Sequence, residues 1–382
     1  MTTQTIGKIL NRGFILTFSA QFTLLSVFYI LIPTLPIYLS RLGSNEVEIG
    51  VLIGIFSVSS LFLRPYVGRA LLNIPEKTFM IVGALLYAVT SVAYLFAPPF
   101  WPFLIVRLSQ GIGLACFHTA SMTLIANISP EAHRGQSLSY FTLASSISGA
   151  LVPSLGIFLI NHFSFTLLFL VCLGLSLCAL LITVLLGRRQ VAPMEHPSIK
   201  SDIILSRKAV APSIIHSFAF FTWGALTAFF PLYAITHGMA NPGFFFTTIA
   251  IMLILGRALG GRIFDLYSRD RIILPCLVTS IISMVILTFS KNLPMFILVA
   301  MIWGIGYTFL LPSSLAYAVD RAGSPGPAMG TFTAISDLGL SLGPVTMGIL
   351  LHWTSYPIMF LCLALTGVIN LNYFYFFVRK KE

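Results

Sequence analysis

"RRQVAPMEHPSIKSDIILSRKAV" (188–210) is the longest polar stretch in a chain of 382 residues. It carries proline, both signs of charge and little periodicity, and the sequence on either side of it is apolar almost throughout. Hydrophobic residues make up 57% of the chain and charged ones only 9%, with a mean hydropathy of +0.95. A soluble domain carries about 25% charged residues, so this balance describes a chain dissolved mostly in lipid. Working outward, apolar runs long enough to span hydrocarbon, about 20 residues each, recur at 13–40, 47–71, 78–97, 100–127, 134–160 and 164–187 before the stretch. After it they recur at 211–237, 243–264, 272–290, 293–319, 327–352 and 356–377. The short alternating segments of a β-barrel are not what these runs look like. The expected fold is an all-α polytopic membrane protein of about twelve transmembrane helices. It divides into an N-terminal six-helix half (1–187), a cytoplasmic linker (188–210) and a C-terminal six-helix half (211–382).

Charge fixes the expected orientation. A net charge of +11 is compatible with a nucleic-acid partner, but its distribution argues against one. With the N-terminus in the cytoplasm, every Lys and Arg except Arg41, Lys291 and Arg107 falls on the cytoplasmic side or its boundary, which is the positive-inside pattern. Both termini are then expected to be cytoplasmic. No small-residue cleavage site follows the first span, so it reads as a retained helix. All five cysteines (Cys116, Cys172, Cys178, Cys276 and Cys362) lie in expected spans, without CxxC spacing. Neither disulfides nor a metal site is expected.

The two halves echo each other. "LFLRPYVGR" (61–69) matches "LILGRALGGR" (253–262) when Arg64 is set on Arg257, and "QGIG" (110–113) falls on "WGIG" (303–306) at the same offset. "GALVPSLG" (149–156) matches "GLSLGPVTMG" (339–348) with a small indel. Internal repeats of this kind are a signature of transporters with a substrate site near the bilayer midplane.

Three local motifs carry a family resemblance. The loop "GRIFDLYSRDR" (Gly261, Asp265, Arg269, Arg271) is similar to a cytoplasmic loop signature of the major facilitator superfamily. "RLSQGIG" (Arg107, Gln110, Gly111, Gly113) resembles that family's fourth-helix arginine motif, and "SGALVPSLG" (Gly149, Pro153, Gly156) a loosened form of its antiporter Gly/Pro motif. The first-half loop "GRALLNIPEK" departs from the signature, with Leu72 in place of its Asp and Pro75 in place of its Gly. In outline the chain resembles the bacterial drug-efflux-like, proton-antiporter branch, which includes some siderophore and metallophore exporters. The resemblance implies the major facilitator fold, a bacterial inner-membrane location and a fourth helix beside a central cavity with the first, seventh and tenth.

Candidate site residues follow from charge, polarity and helical spacing. Asp337 is the only carboxylate well inside a span, where an ionisable group is a functional hypothesis by default. It suits reversible protonation, or alternatively a packing hydrogen bond. At about 100° per residue, Gln110, His118 and Ser121 fall within roughly 60° of Arg107, a polar stripe over roughly 21 Å of helix rise. Arg107 stays protonated and can attract an anion, or it can snorkel to the headgroups. The resemblance implies that Gln21 and Tyr29 of the first helix, His216, Trp223 and Thr227 of the seventh, and Trp303 and Tyr307 of the tenth border the cavity. These aromatic walls suit a pocket, although a single aromatic more often fills a helix contact or anchors at the interface, and the two histidines are more often hydrogen-bonded core residues than ligands or proton carriers. For gating, Asp265 is expected to cap the fifth helix near Arg134–Gln136, or alternatively to pair locally with Arg262 or Arg269. Gly261 and Arg269 share its loop, and Gly149, Pro153, Gly343 and Pro344 permit close approach or bending.

No GxxxxGK[ST] or HExxH occurs, so an enzyme is not expected. The expected activity is secondary active transport: proton-coupled export of a small organic solute by alternating access. The solute classes are drug-like, siderophore or metallophore, and organic acid. The alternatives are uptake or facilitated diffusion of a sugar or carboxylated compound, and lipid flipping. Its expected partners are a small-molecule substrate, protons and the bilayer; no cofactor, metal or nucleic acid is expected, and the chain is expected to act as a monomer.

Overall fold

The computed structural model describes residues 11–129, 134–187, 206–260, 267–322 and 325–379. Among these residues there are twelve α-helices and no strand. They are α1 (Arg12–Arg41), α2 (Glu46–Ala70), α3 (Glu76–Phe96), α4 (Trp101–Ile128), α5 (Arg134–His162) and α6 (Phe165–Val184). After a 3₁₀ turn at Arg207–Ala209 come α7 (Val210–Thr236), α8 (Gly243–Gly260), α9 (Arg269–Phe289), α10 (Leu293–Ala322), α11 (Pro325–Trp353) and α12 (Tyr356–Tyr373). A π-helical turn, Phe374–Val378, continues α12. Eleven of the twelve are long and apolar enough to cross a membrane, and α8 contributes a shorter apolar helix. Helices satisfy their own backbone groups, which is the condition for crossing hydrocarbon. The chain is a multi-pass helical membrane protein, and large apolar side chains such as Phe62, Val89, Phe96, Leu181 and Phe289 are accordingly exposed on its helices.

Local chemistry sets the helix ends. Gly43 adopts φ of 86° between α1 and α2, a conformation glycine reaches without steric penalty. Asn45 and Glu48 then bond each other's backbone N–H, at 2.9 and 3.2 Å, a reciprocal cap for the start of α2. Ser164 caps α6 through Leu167 N–H at 3.1 Å. Lys77 donates to the carbonyls of Val184 and Leu186, where α6 ends with carbonyls lacking intrahelical partners.

By packing, the chain divides into two compact units, Met1–Leu31 with Val58–Ile199 and Ile32–Ser57 with Lys200–Glu382. In the first unit, α3 and α4 meet at two glycines. A Cβ on Gly83 would lie 2.6 Å from the Gly113 carbonyl oxygen, and one on Gly113 would lie 3.1 Å from that of Gly83. In the second unit, α9 and α10 meet the same way. A Cβ on Gly306 would lie 3.2 Å from the Cys276 carbonyl oxygen. With Gln110 set on Trp303, Gly113 falls on Gly306 and Gly83 falls on Cys276. The repeat read from short motifs therefore extends to helix-pair contacts.

The second unit is dominated by α7 against α11, the largest helix pair described. Gly339 and Gly343 of α11 lie against the Ser217 and Phe221 backbone. Gly224 of α7 faces the Leu340 carbonyl oxygen and Pro344. The start of α2 belongs to this unit for the same reason: Gly50 and Gly54 seat it on Pro344 and Ser341, and Gly348 faces the Glu46 carbonyl. Small residues let helix backbones approach closely in lipid, where burial of apolar surface gives no driving force.

Candidate functional site

In the first unit, the four expected polar residues of α4 divide into two groups. Arg107 is buried, and its guanidinium donates to Gln110 Oε1 at 2.7 Å. Tyr94 of α3 donates its hydroxyl to the same oxygen at 2.6 Å. Tyr94 is held against Phe103 and Phe169, with ring centroids at 5.0 and 5.3 Å. Gln110 Nε2 and the hydroxyl of fully buried Tyr87 have no hydrogen-bond partner among the described residues. One turn of α4 therefore buries a permanent cation beside neutral donors and acceptors. A guanidinium does not deprotonate in proteins, so the charge is fixed.

The second group lies further along α4. Gln21 of α1 donates Nε2 to His118 Nδ1 at 2.7 Å and accepts from Ser121 Oγ at 2.8 Å. An amide nitrogen only donates, so His118 Nδ1 accepts and the ring proton sits on Nε2. The stripe expected from helical spacing is continuous on α4 but serves two neighbours, α3 at Arg107 and Gln110 and α1 at His118 and Ser121. Tyr29 of α1 meets Ser145 Oγ of α5 at 3.0 Å. Gly149 makes room for that ring, since a Cβ there would lie 3.2 Å from it. Pro153 is buried one turn further along α5.

In the second unit, four of the expected residues form one column of rings. Trp223 stacks on Trp303 at 5.2 Å, Trp303 on Tyr307 at 4.7 Å, and Tyr307 on His216 at 5.9 Å. Phe220 and Phe332 flank the imidazole at 4.5 and 4.8 Å. Ser336 of α11 gives its hydrogen to the Phe332 carbonyl at 2.6 Å. Its oxygen, 2.8 Å from His216 Nδ1, therefore accepts from Nδ1–H. Nε2 is left to accept from the Tyr307 hydroxyl at 3.4 Å. Asp337 is buried on α11 beside Ser336, and its backbone carbonyl accepts from Ser341 Oγ at 2.9 Å. Thr227 bonds the Gly224 carbonyl of its own helix at 2.7 Å and does not join the column.

Of the expected gating residues, Gly261 and Asp265 lie outside the described residues. Arg269 pairs with Asp320, linking the start of α9 to the end of α10 on the exposed surface. Gly343 and Pro344 sit at the α7–α11 contact. Sequence reasoning missed Tyr94, Tyr87, Ser336 and Phe332 as site members. A signal existed for the first two: they are tyrosines two turns apart on one face of α3. Ser336 gave none, because serine is common in these helices.

Comparison with known proteins agrees with the helical membrane fold. The family model described as Major Facilitator Superfamily matches residues 17–323 and 242–382. The "Staphylopine export protein" of Staphylococcus aureus is 24% identical over 385 residues, covering 94% of this chain and 93% of that protein. The "Quinolone resistance protein NorA" of the same organism is 23% identical over 366 residues, covering 89% and 90%. Among solved structures, the nucleoside transporter NupG aligns with a TM-score of 0.80 at 14% identity, over 97% of this chain and 100% of that one. The human organic anion transporter MFSD10 aligns with a TM-score of 0.68 at 16% identity, over 95% and 98%.

Proposed function

Since the chain belongs to the Major Facilitator Superfamily, and so is a membrane transporter and not an enzyme, we propose that it exports a small organic solute in exchange for protons by alternating access. One observation carries the export reading: proteins named for staphylopine export and for quinolone resistance align along about nine tenths of the chain. The solute is drug-like, a metallophore or siderophore, or an organic acid. The ring column Trp223–Trp303–Tyr307–His216 supplies its apolar wall, as aromatic side chains do in most small-molecule pockets. Arg107, held by Gln110 and Tyr94, acts as the fixed positive charge for an anionic group. Asp337 carries the proton, being a buried ionisable group inside a span. Residues 1–187 and 211–382 are the two halves that move, 188–210 is their linker, and Gly261, Asp265 and Arg269 gate one side. The protein works as a monomer in a bacterial inner membrane with both termini cytoplasmic. Its driving force is the proton gradient, with no resident cofactor and no nucleic-acid partner.

The test is transport by purified protein in proteoliposomes under an imposed pH gradient. The solute is first found by a thermal-shift screen of metallophores, drugs, sugars and organic acids. Asp337→Asn is expected to abolish gradient-driven flux while counterflow survives. Unchanged gradient dependence in that variant removes Asp337 from the mechanism. Flux indifferent to any pH gradient in the unmodified protein overturns proton exchange and favours facilitated diffusion.

A further inference from the structure

A cavity of about 290 Å³ lies between α9 and α10 in the second unit. Its lining runs from Tyr267 and Arg271 at the start of α9, through Pro275 and Thr279, to Ile305 and Phe309 of α10. Tyr267, Arg271, Pro275 and Ile305 are exposed, so the cavity opens on the outer face of the helix pair. That face continues as exposed Ile282, Phe289, Leu298 and Met301, a surface that only acyl chains solvate well. The cavity is thus a groove in the lipid-facing wall, with one cation at its end and apolar side chains along about 12 Å of helix rise between Arg271 and Thr279.

The polar end is electrostatically specific. Arg269 is paired with Asp320, whereas among the described residues no carboxylate bridges Arg271. Asp270 is half-buried, and its Oδ1 is buried without a hydrogen-bond partner among the described residues. Arg271 stands in the first turn of α9, where the helix terminus also favours an anion. Tyr267 lies beside it at the level where aromatic side chains border the headgroups. The corresponding positions of the α3–α4 pair hold Ile74, Thr78 and Leu86 in place of Tyr267, Arg271 and Thr279. Helix pairing alone therefore does not account for the charged end or for the room beside Thr279.

We propose that this groove is a binding site for one anionic phospholipid, its phosphate on Arg271 and Tyr267 and an acyl chain laid between α9 and α10 along Pro275, Thr279, Ile305 and Phe309. A free phosphate would satisfy Arg271 but leave the apolar length empty, and a neutral amphiphile would fill the length but not meet the charge. The two ends select for both properties in one molecule.

Native mass spectrometry of the full-length protein in detergent tests the site, with phosphatidylglycerol and phosphatidylcholine of the same chain length as probes. One arginine near the headgroups is worth about a fivefold preference for the anionic lipid, and that is the expected ratio of the two affinities. Arg271→Gln is expected to bring the ratio to about one, and Ile305→Trp, which fills the groove from an exposed position, to weaken both adducts. Lys291→Gln, at the other end of α9, is expected to leave the ratio unchanged, and excess inorganic phosphate to leave the lipid bound. An unaltered preference in Arg271→Gln overturns the proposal, and so does an equal loss in Lys291→Gln, which would indicate unspecific charge attraction. Full binding in Ile305→Trp, or displacement by inorganic phosphate alone, overturns the acyl-chain half of the site.

Discussion

The α3–α4 pair and the α9–α10 pair have matching close contacts and opposite contents. Each pair meets where a glycine, Gly113 or Gly306, faces the backbone of its neighbour. Around that shared contact the first pair buries Arg107, Gln110 and Tyr94, while the corresponding positions of the second are Ala300, Trp303 and Leu287. One pair thus encloses a permanent charge, and the other builds an apolar wall whose ring Trp303 joins to Trp223 and Tyr307. The difference shows that the backbone contact is what the repeat preserves. The chemistry is written on top of it, one residue at a time.

The largest expected effect breaks the polar side of this comparison. Arg107→Leu leaves Tyr94 and Gln110 bonded to each other but removes the charge. A charged hydrogen bond is worth about 1.5–3 kcal/mol, so affinity for an anionic solute should fall about ten- to hundredfold. A neutral solute should bind nearly as before. Isothermal titration with matched charged and neutral ligands checks this, and equal losses for both would take Arg107 out of substrate binding.

The next effect tests the contact itself by exchange between the pairs. Gly83→Cys installs the residue that stands at the same position of α9. Its Cβ would lie 2.6 Å from the Gly113 carbonyl oxygen and 2.9 Å from the Phe117 backbone nitrogen, neither of which can turn aside. Overpacking of this kind costs about 1–3 kcal/mol. The thermal midpoint in detergent is expected to drop clearly, whereas Cys276→Gly, in the other pair, should lower it less. If Gly83→Cys is neutral, the α3–α4 contact is looser than its geometry implies.

How much of this was legible in the sequence depends on the kind of interaction. Spans were legible because hydrocarbon imposes length and apolarity on every helix, so even α10 and α11, with internal Pro312 and Pro344, stood out. The ring column was legible in part, since helical spacing places His216 with Trp223 and Trp303 with Tyr307 on shared faces. Spacing cannot say which helix a face meets. That is why Arg107 and His118 shared a stripe on α4 and yet found different partners, Tyr94 on α3 and Gln21 on α1. Packing of the α2 start with α7–α12 was equally hidden, because it depends on Gly50 and Gly54 finding Pro344 and Ser341 far along the chain.

The smallest expected effect sharpens the contrast between the two pairs at a single hydroxyl. Tyr94→Phe deletes a buried bond of 2.6 Å to Gln110, and Tyr307→Phe deletes one of 3.4 Å to His216. A buried neutral hydrogen bond is worth about 0.5–1.5 kcal/mol, and interactions of this type weaken as they lengthen. Tyr94→Phe should therefore lower the thermal midpoint modestly, because Gln110 Oε1 still accepts from Arg107. Tyr307→Phe should lower it less, since its ring keeps the stack on Trp303. The reverse order would mean that the imidazole–phenol contact tightens in the membrane. Polar chemistry in the second unit would then rest on His216 and Tyr307 as strongly as that of the first rests on Arg107.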